Sequence, residues 1–539
     1  MRLLLVVLAA LLGTAASGRA AEKFEKWIYR QTNLLVDKNV DDLGELLKRG
    51  KAAGYTHMLL ADSKFSRLEE MFDRYFKNIE RVKQFAAENG IEIVPAIFSI
   101  GYSNDLLSRD PNLVEALPVK NLPLIVQGGV AAVDSEKAPS LPGGAFDDRK
   151  RWSWADETVV FEDGVARVTD PKGKLARVSR KISVQPWRQY HVSVRVKTQD
   201  FQGKPEVKAL PEKGASLSWD ALRVKPTQDW QTHHIVFNSQ ENTSVGLYFG
   251  VWDGGTGTLW WDDAKIEEVA FLNMARRPGS PLVITTAEGK ALKEGVDFEP
   301  LKDPGLGTKP WAGEFDVWHE PPQLKTKLPD GTKLLASYYH AMTVYEGQAM
   351  ICPSEPKTVE LLRDQARRMH ELWGAKGYMM SHDEIRVLNH CAACQARKLT
   401  PGQIIADNAK TCVEILKQVN PGGRIHVWSD MFDPHHNAID KPYYLVNGPL
   451  VGAWEGLPSD VIILPWYYSK RAESLKFFAD RGHRQIIAGY YDAKPEQIKE
   501  WLSAGKGIEG ILGAMYTTWQ NKYGDLEVFS KAIDAAREP

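Results

Sequence analysis

Two separate blocks of this chain alternate short apolar runs with amphipathic helical stretches. In the first block, apolar runs at residues 27–30, 57–61 and 91–98 are separated by helical patterns at residues 41–53 and 67–89. Parallel strands need a long crossover between them, usually a helix, so this alternation predicts consecutive βα units.

The second block begins near Pro353 and repeats the alternation over the last part of the chain. Its strand candidates are residues 378–381, 424–428, 461–466, 485–491 and 511–516, and its helical patterns are residues 360–373, 404–419, 472–481 and 495–504. Together the two blocks predict a (β/α)₈ TIM barrel, an α/β fold whose active site forms at the C-terminal ends of the strands. A doubly wound open sheet is the alternative, although no glycine-rich phosphate loop supports it.

The segment between the blocks shows short alternating strands separated by turn residues. Its strand candidates are residues 165–169, 190–197, 232–238, 245–251 and 259–266. The pattern predicts an all-β jelly-roll sandwich that interrupts the barrel after strand three. The predicted division is a signal peptide at 1–20, a first barrel part at 21–130, the sandwich at 131–271, a β-rich connecting region at 272–350, and a second barrel part with the catalytic site at 351–539.

The N-terminus and the charge balance limit where the protein acts and what it binds. Arg2, an apolar run at residues 3–12 and small residues up to Ala20 are typical of a secretory signal peptide. A membrane anchor is the alternative, but the run is too short to span a bilayer. We expect a secreted or periplasmic protein without a membrane span. The 68 Lys and Arg residues nearly cancel the 69 Asp and Glu residues, which argues against a nucleic-acid partner.

The strand candidate at 378–381 leads directly into two adjacent acids, Asp383 and Glu384. A buried acid pair is costly to keep unless the carboxylates have a function. Pleating sends neighbouring side chains to opposite faces, so both acids face one site only where the backbone leaves regular strand geometry. The alternative is that one acid faces outward and pairs with Arg386 or Lys398.

The other strand ends carry aromatic, acidic and guanidinium side chains, which an acid-catalysed sugar site requires. The predicted substrate-binding residues are Arg30, His382, Trp428, Asp430, Trp466, Tyr490, Tyr491, Asp492 and Trp519. The 17 tryptophans of the chain also suit the flat faces of sugars, which stack on indole rings. Arg30 has an alternative role as a buried ion-pair partner of Asp62 or Asp430. We predict no metal and no cofactor at this site.

The barrel blocks resemble glycoside hydrolase family 20, the β-N-acetylhexosaminidases. That family carries an arginine at strand one, an Asp-Glu pair at the end of strand four, and tryptophans and a tyrosine around the sugar; the matching places hold Arg30, Asp383, Glu384, Trp466, Tyr490 or Tyr491, and Trp519. The chain departs from the family at Ser381-His382, where a Gly-Gly is expected, at Ile100-Gly101-Tyr102, where Pro-Gly-His is expected, and at Gln520 or Asn521, where a glutamate is expected.

The resemblance implies substrate-assisted, retaining cleavage of an oligosaccharide or glycan. Glu384 would then be the general acid and base, and Asp383 would hold the nitrogen of the substrate's own 2-acetamido group. A tyrosine from strand seven would hold the acetamido carbonyl. Two alternatives remain open: a two-carboxylate retaining glycosidase with Asp492 or Asp430 as nucleophile, and a secreted glycan-binding protein without catalysis.

The predicted sandwich resembles jelly-roll carbohydrate-binding modules in residues 245–269, which contain Tyr248-Phe249-Gly250-Val251-Trp252 and Leu259-Trp260-Trp261-Asp262-Asp263. The resemblance implies binding of a glycan or a structural calcium. The alternative is an insert that only shapes the cleft.

Cysteines lie just beyond the acid pair. Of the four cysteines, Cys391 and Cys394 form a CxxC motif that follows His390, and Cys352 and Cys412 flank it in sequence. In an exported protein this favours a disulfide. The alternative is a structural zinc site that uses His390, for which one CxxC supplies half of the usual ligands.

Overall fold

The computed structural model describes residues 23–538 apart from Ser135, Lys137, Asp220 and Glu346. The predicted signal peptide at 1–20 lies outside the described residues. Within the described part of the chain, no helix combines the length and the apolar character needed to cross a membrane.

Eight parallel strands close into a barrel and follow one another around it in chain order. Strands one to eight are Glu25–Gln31, His57–Ala61, Glu92–Ile97, Gly377–Met380, Arg424–Trp428, Ile462–Leu464, Gln485–Ile487 and Ile511–Tyr516. Strand one pairs with strand eight, with Trp27 opposite Met515, and this pairing closes the ring. The prediction of a closed barrel with eight parallel strands is confirmed.

Helices of the barrel layer pack on the outside of the ring through one apolar face each. They are Asp37–Ala52, Asp73–Asn89, Pro356–Trp373, Pro401–Val419, Arg471–Asp480, Ile498–Ala504 and Leu526–Arg537, with short helices at Asn104–Leu107 and Ala392–Ala396. The buried Val40, Leu43 and Leu47 recur at three-to-four-residue spacing, the period of one helix face. Gly90 ends the second helix with φ of +60°, a left-handed conformation that glycine adopts without a steric penalty.

The alternation of strands and helices is incomplete between strands five and six. All residues of this connection are described, and it contains only the 3₁₀ turns Asp430–Phe432 and Ala453–Gly456 and the two-residue strand Leu445–Val446. The last helix, Leu526–Arg537, was not predicted from the sequence. It packs against the first barrel strand, where Lys26 contacts Ser530 and Asp534.

The chain between strands three and four forms two further sheets. One has seven antiparallel strands: Trp154–Ala155, Val159–Glu162, Val165–Thr169, Ala176–Ser183, Gln189–Pro211, Gln228–Asn238 and Ser244–Val269. The predicted strands at 245–251 and 259–266 are parts of one long strand, because its partner Gln189–Pro211 continues past Asp253-Gly254-Gly255. The pairing register shifts between Gly203 and Pro205, where the long strand has more residues than its partner, as in a β-bulge.

The other inserted sheet has six strands drawn from both ends of the insertion: Ala116–Gln127, Val130–Val133, Met274–Ala275, Val283–Thr286, Leu324–Lys325 and Lys333–Ala341. Ala116–Gln127, predicted to lie in the first barrel part, belongs to this sheet and pairs along its length with Lys333–Ala341. Sequence periodicity does not reveal this pairing, because the two strands lie about two hundred residues apart.

The chain leaves the barrel and returns to it at adjacent points. The backbone N–H of Glu115 donates to the carbonyl of Met350 (2.7 Å), and the N–H of Cys352 donates to the carbonyl of Leu113 (2.7 Å). The insertion is therefore attached through two neighbouring strand-like segments, next to the loop that follows strand four.

Candidate active site

A cavity of about 380 Å³ opens at the C-terminal ends of the barrel strands. It is lined by Tyr29, Gln31, Ala61, Asp62, Ser63, Ala96, Ser99, Tyr102, Asp105, Ser381, Asp383, Glu384, Trp428, Trp466, Tyr491 and Trp519. Both predicted catalytic acids therefore face one cavity. Its volume lies within the range typical of small-molecule sites.

The two acids reach the cavity because the backbone leaves strand geometry immediately after strand four. Glu384 has φ of +51°, in the left-handed region that non-glycine residues rarely adopt. Its N–H donates to Oδ2 of Asp430 (2.9 Å), which holds the turn in place. Pleating alone would have separated the two side chains, and this irregular turn brings them to the same side.

The loop after strand three packs against the backbone turn at Asp383-Glu384, which is called the acid turn below. A Cβ atom added to Gly101 would lie 1.8 Å from the backbone oxygen of Asp383, so no other residue fits there without a shift of the loop. The N–H of Ile100 donates to the carbonyl of Ser381 (3.0 Å). The loop after strand three and the acid turn therefore form one packed unit.

Asp383 is the most strongly perturbed acid that lines the cavity. Burial, followed by the negative charge of Glu384, raises the pKa of Asp383 to about 7, and Arg386 opposes the rise. Burial and the charge of Asp383 also raise the pKa of Asp430 well above its usual range. These three carboxyl groups interact in a poorly solvated space, and such coupled groups are typical of functional sites.

Glu384 is bound by a cation and a phenol. Its Oε2 lies 2.6 Å from Nη2 of Arg386 and accepts a hydrogen bond from the hydroxyl of Tyr102. The side chain of Arg386 is 5% exposed and that of Glu384 is 27% exposed. The pairing with Arg386 predicted as the alternative is thus present, yet Glu384 still lines the cavity.

Arg386 is held by side chains from several loops. Its Nη1 donates to Oε1 of Gln348 (2.8 Å) and to the hydroxyl of Tyr102 (3.2 Å). The guanidinium also lies over the rings of Tyr102, Tyr345 and Tyr444, at 5.4, 4.8 and 5.2 Å from their centroids. Tyr345 comes from the insertion and Tyr444 from the loop after strand five, so Arg386 joins both to the acid turn.

Six aromatic rings line the cavity. Four of them form a connected row along its wall: Trp428, Trp466, Tyr491 and Trp519. Trp466 and Tyr491 stack in parallel at 5.5 Å with planes 3° apart, and Trp519 lies 5.8 Å from Trp428. Tyr491 is 49% exposed and Trp519 is 38% exposed. Exposed aromatic rings at the edge of a concave site present flat apolar surfaces of the kind that sugar faces contact.

Arg30, predicted to bind substrate, is not among the residues that line the cavity. In strand one, Trp27 and Tyr29 point into the barrel and pack with Trp428 and Met379, so the pleat turns Arg30 to the other side. There Arg30 donates to Oδ1 of Asn521 (3.2 Å). The same alternation places Tyr29 and Gln31 inward, and both line the cavity although the sequence analysis did not select them.

His382, Tyr490, Asp492 and Asp430 also lie outside the cavity lining. His382 is buried, bonds Oδ1 of Asn408 (3.0 Å) on the helix Pro401–Val419, and has its pKa lowered to about 4 by burial. Asp430 supports the acid turn as described above. The structure places these four residues behind the cavity lining, and their contact with substrate stays a prediction.

Of the three predicted residues that follow strand seven, one lines the cavity and two do not. The hydroxyl of Tyr490 donates to Oδ2 of Asp525 (3.1 Å), and its ring stacks on Tyr516 in the core beneath the helices. Asp492 accepts from the N–H of Trp519 (2.8 Å) and so holds the turn that carries this tryptophan. Tyr491, between them, is the residue that faces the cavity.

Two further acids near the cavity were not predicted. Asp105, from the short helix Asn104–Leu107, lines it, and burial raises its pKa to about 6. Asp62 caps the 3₁₀ turn Ser63–Ser66 and also accepts from the N–H of Leu34 (2.9 Å). Asp105 does not directly follow a strand, so a search for polar side chains at the strand ends could not identify it.

Comparison with known proteins leaves the family open. No protein-family model matches this chain, and no curated protein matches it. Among solved structures, a β-N-acetylhexosaminidase aligns over 96% of this chain and 71% of its own, with 8% identity and a TM-score of 0.41. A rhamnosidase from Novosphingobium sp. PP1Y aligns over 95% of this chain and 58% of its own, with 9% identity and a TM-score of 0.32. A chain described as "CBM4 structure and function" aligns over 24% of this chain and 100% of its own, with 19% identity and a TM-score of 0.20. Likenesses at this level carry no argument about activity.

Proposed function

We propose that this chain is an exported glycoside hydrolase that cleaves a glycan with β-N-acetylhexosaminidase-like, substrate-assisted chemistry. The observation that carries the proposal is the coupled pair Asp383 and Glu384, which faces a cavity walled by four aromatic rings. Glycoside cleavage needs a group that protonates the leaving oxygen, and flat apolar surfaces position the sugar. We also propose that the seven-stranded sheet is a jelly-roll module and that it binds glycan or calcium.

In the proposed mechanism the two acids together supply one proton. Asp383, whose pKa is raised to about 7 by burial and by the charge of Glu384, carries it in the free protein, and Glu384 is paired with Arg386. A bound 2-acetamido group would donate its N–H to Asp383 and thereby favour the ionised form of that carboxyl. The proton then passes to Glu384, which is the group that protonates the glycosidic oxygen.

The bond changes follow from these positions. The acetamido carbonyl oxygen attacks the anomeric carbon as the glycosidic C–O bond breaks, and Glu384 transfers its proton to the departing oxygen. Water then attacks the cyclic intermediate and gives its proton back to Glu384, so the anomeric configuration is retained. Asp383 stabilises the positive charge that develops on the acetamido nitrogen.

Hydrolysis of a panel of aryl glycosides tests the proposal. We expect turnover of aryl 2-acetamido-2-deoxyglycosides and at least 100-fold lower kcat/KM for the matched aryl glycosides with a 2-hydroxyl group, because only the former carry the internal nucleophile. Comparable turnover of both series would favour the two-carboxylate alternative. Retained glycan binding without any turnover would favour the glycan-binding protein.

The two nucleophiles predicted for the two-carboxylate alternative have other partners. Asp492 accepts from the N–H groups of Trp519 and Gln520, and Asp430 accepts from the N–H of Glu384. Neither lines the cavity. These contacts favour the substrate-assisted proposal over that alternative.

The coupling of the acids predicts a specific pH dependence. Because the pKa of Asp383 is raised to about 7, the pair loses its proton as the pH rises through that value, and kcat/KM should fall on the alkaline side. Glu384→Gln removes the charge that contributes to this rise, so Asp383 should titrate at lower pH in that variant. The pH profile of kcat/KM on an activated aryl substrate, measured for the wild type and for Glu384→Gln, checks both expectations.

Folding stability provides a check that does not require turnover. Asp383 has a higher pKa in the folded state than its ordinary 3.8, so the stability it contributes at low pH is lost as the pH rises from about 4 to about 7. The urea midpoint of the wild type should therefore fall relative to Asp383→Asn over this window. A difference that does not change with pH would refute the coupled pair.

A further inference from the structure

Three of the four cysteines meet in one buried cluster beside the acid turn. Sγ of Cys352 lies 3.4 Å from Sγ of Cys391 and 3.6 Å from Sγ of Cys394. Oε2 of Glu115 lies 3.3 Å from Sγ of Cys391 and 3.4 Å from Sγ of Cys394. The four ligand atoms all lie within 4.8 Å of one another, and all four residues are buried.

These separations match the edges of a metal-centred tetrahedron. With Zn–S bonds of about 2.3 Å and a Zn–O bond of about 2.0 Å, tetrahedral geometry places two sulfurs about 3.8 Å apart and a sulfur and an oxygen about 3.5 Å apart. The observed distances of 3.4 and 3.6 Å between sulfurs and of 3.3 and 3.4 Å from oxygen to sulfur are close to both values. A disulfide needs two sulfurs about 2.0 Å apart and would leave the third thiol and the carboxyl without a function.

Glu115 is oriented toward the thiols by backbone donors. Its Oε1 accepts from the N–H of His390 (2.7 Å) and from the N–H of Cys391 (3.0 Å), which leaves Oε2 directed at the sulfurs. Such contacts orient a carboxylate for metal binding. His390, the ligand predicted from the sequence, instead bonds the carbonyl of Leu445 through Nε2 (2.7 Å) and is not a member of the cluster.

We propose that Glu115, Cys352, Cys391 and Cys394 form a structural zinc site. Zn²⁺ is the cation that four-coordinate sites of thiolates with one oxygen or nitrogen ligand select. Binding converts the three thiols to thiolates and releases their protons to solvent. Arg277, which interacts electrostatically with Cys352, Cys391 and Glu115, offsets part of the negative charge that four anionic ligands leave around a divalent ion.

The position of the cluster defines what the metal does. Glu115 lies where the chain leaves the barrel, Cys352 lies where it returns, and Cys391 and Cys394 follow the acid turn. The metal therefore ties both attachment points of the insertion to the loop after strand four. With four protein ligands and no exposed position, the site has no place for a substrate and is structural.

Metal analysis of the full-length mature protein tests the proposal. We expect about one zinc per chain after purification in metal-free buffer, and replacement by Co²⁺ should give the visible absorption bands of a tetrahedral thiolate site. Cys391→Ser and Cys394→Ser should lose the metal, and Glu115→Gln should bind Co²⁺ at least tenfold more weakly. The matched control is Cys412→Ser, because Cys412 is equally buried but bonds Asn408 outside the cluster; it should retain one zinc.

Measurements on the wild type keep the test independent of whether the variants fold. Thiol titration in denaturant should find four free thiols once a chelator is added. Wild type that contains no zinc and gives no Co²⁺ bands after reduction would overturn the proposal. A peptide map that finds a disulfide among Cys352, Cys391 and Cys394 would overturn it as well and would restore the disulfide predicted from the sequence.

Discussion

Asp383→Asn should reduce kcat/KM on 2-acetamido glycosides by roughly 100- to 10,000-fold, whatever the leaving group. Asp383 faces the cavity beside Glu384, and burial and the charge of Glu384 raise its pKa to about 7. An asparagine has nearly the same shape, but it cannot accept the acetamido N–H as a carboxylate or stabilise the positive charge on that nitrogen. The loss therefore arises in the attack of the acetamido oxygen, which every such substrate requires.

Glu384→Gln should show a different pattern on the same substrates. Protonation by Glu384 matters most when the departing oxygen is basic, so kcat/KM should fall strongly for alkyl leaving groups and only slightly for acidic phenols. A plot of log kcat against leaving-group pKa should be steep for Glu384→Gln and shallow for Asp383→Asn. A shallow plot for Glu384→Gln together with a steep plot for Asp383→Asn would identify Asp383 as the proton donor and contradict these roles.

Asp525→Asn is the matched control for these variants. Asp525 accepts from the hydroxyl of Tyr490 on the helix side of strand seven and does not line the cavity. Its kcat/KM and its leaving-group slope should equal those of the wild type. Loss of activity in this control would indicate that amide substitutions act through the fold, and the two catalytic roles would lose their support.

Arg386→Met should destabilise the fold by about 1–3 kcal/mol and remove most activity, because it leaves the partly buried carboxylate of Glu384 without its cationic partner. The Arg386 guanidinium contacts Glu384 at 2.6 Å and Gln348 at 2.8 Å. Its removal frees Glu384 from its position and releases the contacts to Tyr345 and Tyr444. A lower urea midpoint and a lower kcat/KM measure the two effects.

A second ion pair separates stability from catalysis. Arg424 binds Glu25 at 2.7 Å where strands five and one begin, at the end of the barrel opposite the cavity. Arg424→Met should also lower the urea midpoint, but kcat/KM should stay unchanged. The double variant Arg386→Met/Glu384→Gln should recover part of the stability lost in Arg386→Met, because no unpaired carboxylate remains. If it recovers none, the ion pair is not the source of the loss.

Local periodicity predicted the barrel well. Each of the eight strand candidates overlaps a barrel strand, and the acid pair follows strand four as predicted. Apolar runs and helical faces arise from contacts within a few residues, so the sequence carries them directly. The same reasoning divided residues 245–266 into two strands at Asp253-Gly254-Gly255, because the pairing that keeps the strand continuous comes from the distant segment Gln189–Pro211.

The site residues were predicted to within about one position. Arg30 was chosen where its neighbour Tyr29 faces the cavity, and of the predicted pair Tyr490 and Tyr491 only Tyr491 lines it. The phase of the pleat relative to the barrel interior depends on how the strands pair around the ring, and a single strand does not contain that information. Trp428, Trp466 and Trp519 were chosen only because they lie at strand ends, and all three line the cavity.

The amino-acid order alone establishes alternating strands and helices, and it places two acids after the fourth strand, because these properties depend on near neighbours. Tertiary packing decides the partners of those acids. Arg386 meets Tyr345 from the insertion. Glu115 meets Cys352 from the opposite end of the insertion and Cys391 from the loop after strand four. The Glu115 contacts join residues about 280 positions apart, and only the folded chain brings their charges and sulfur atoms close together.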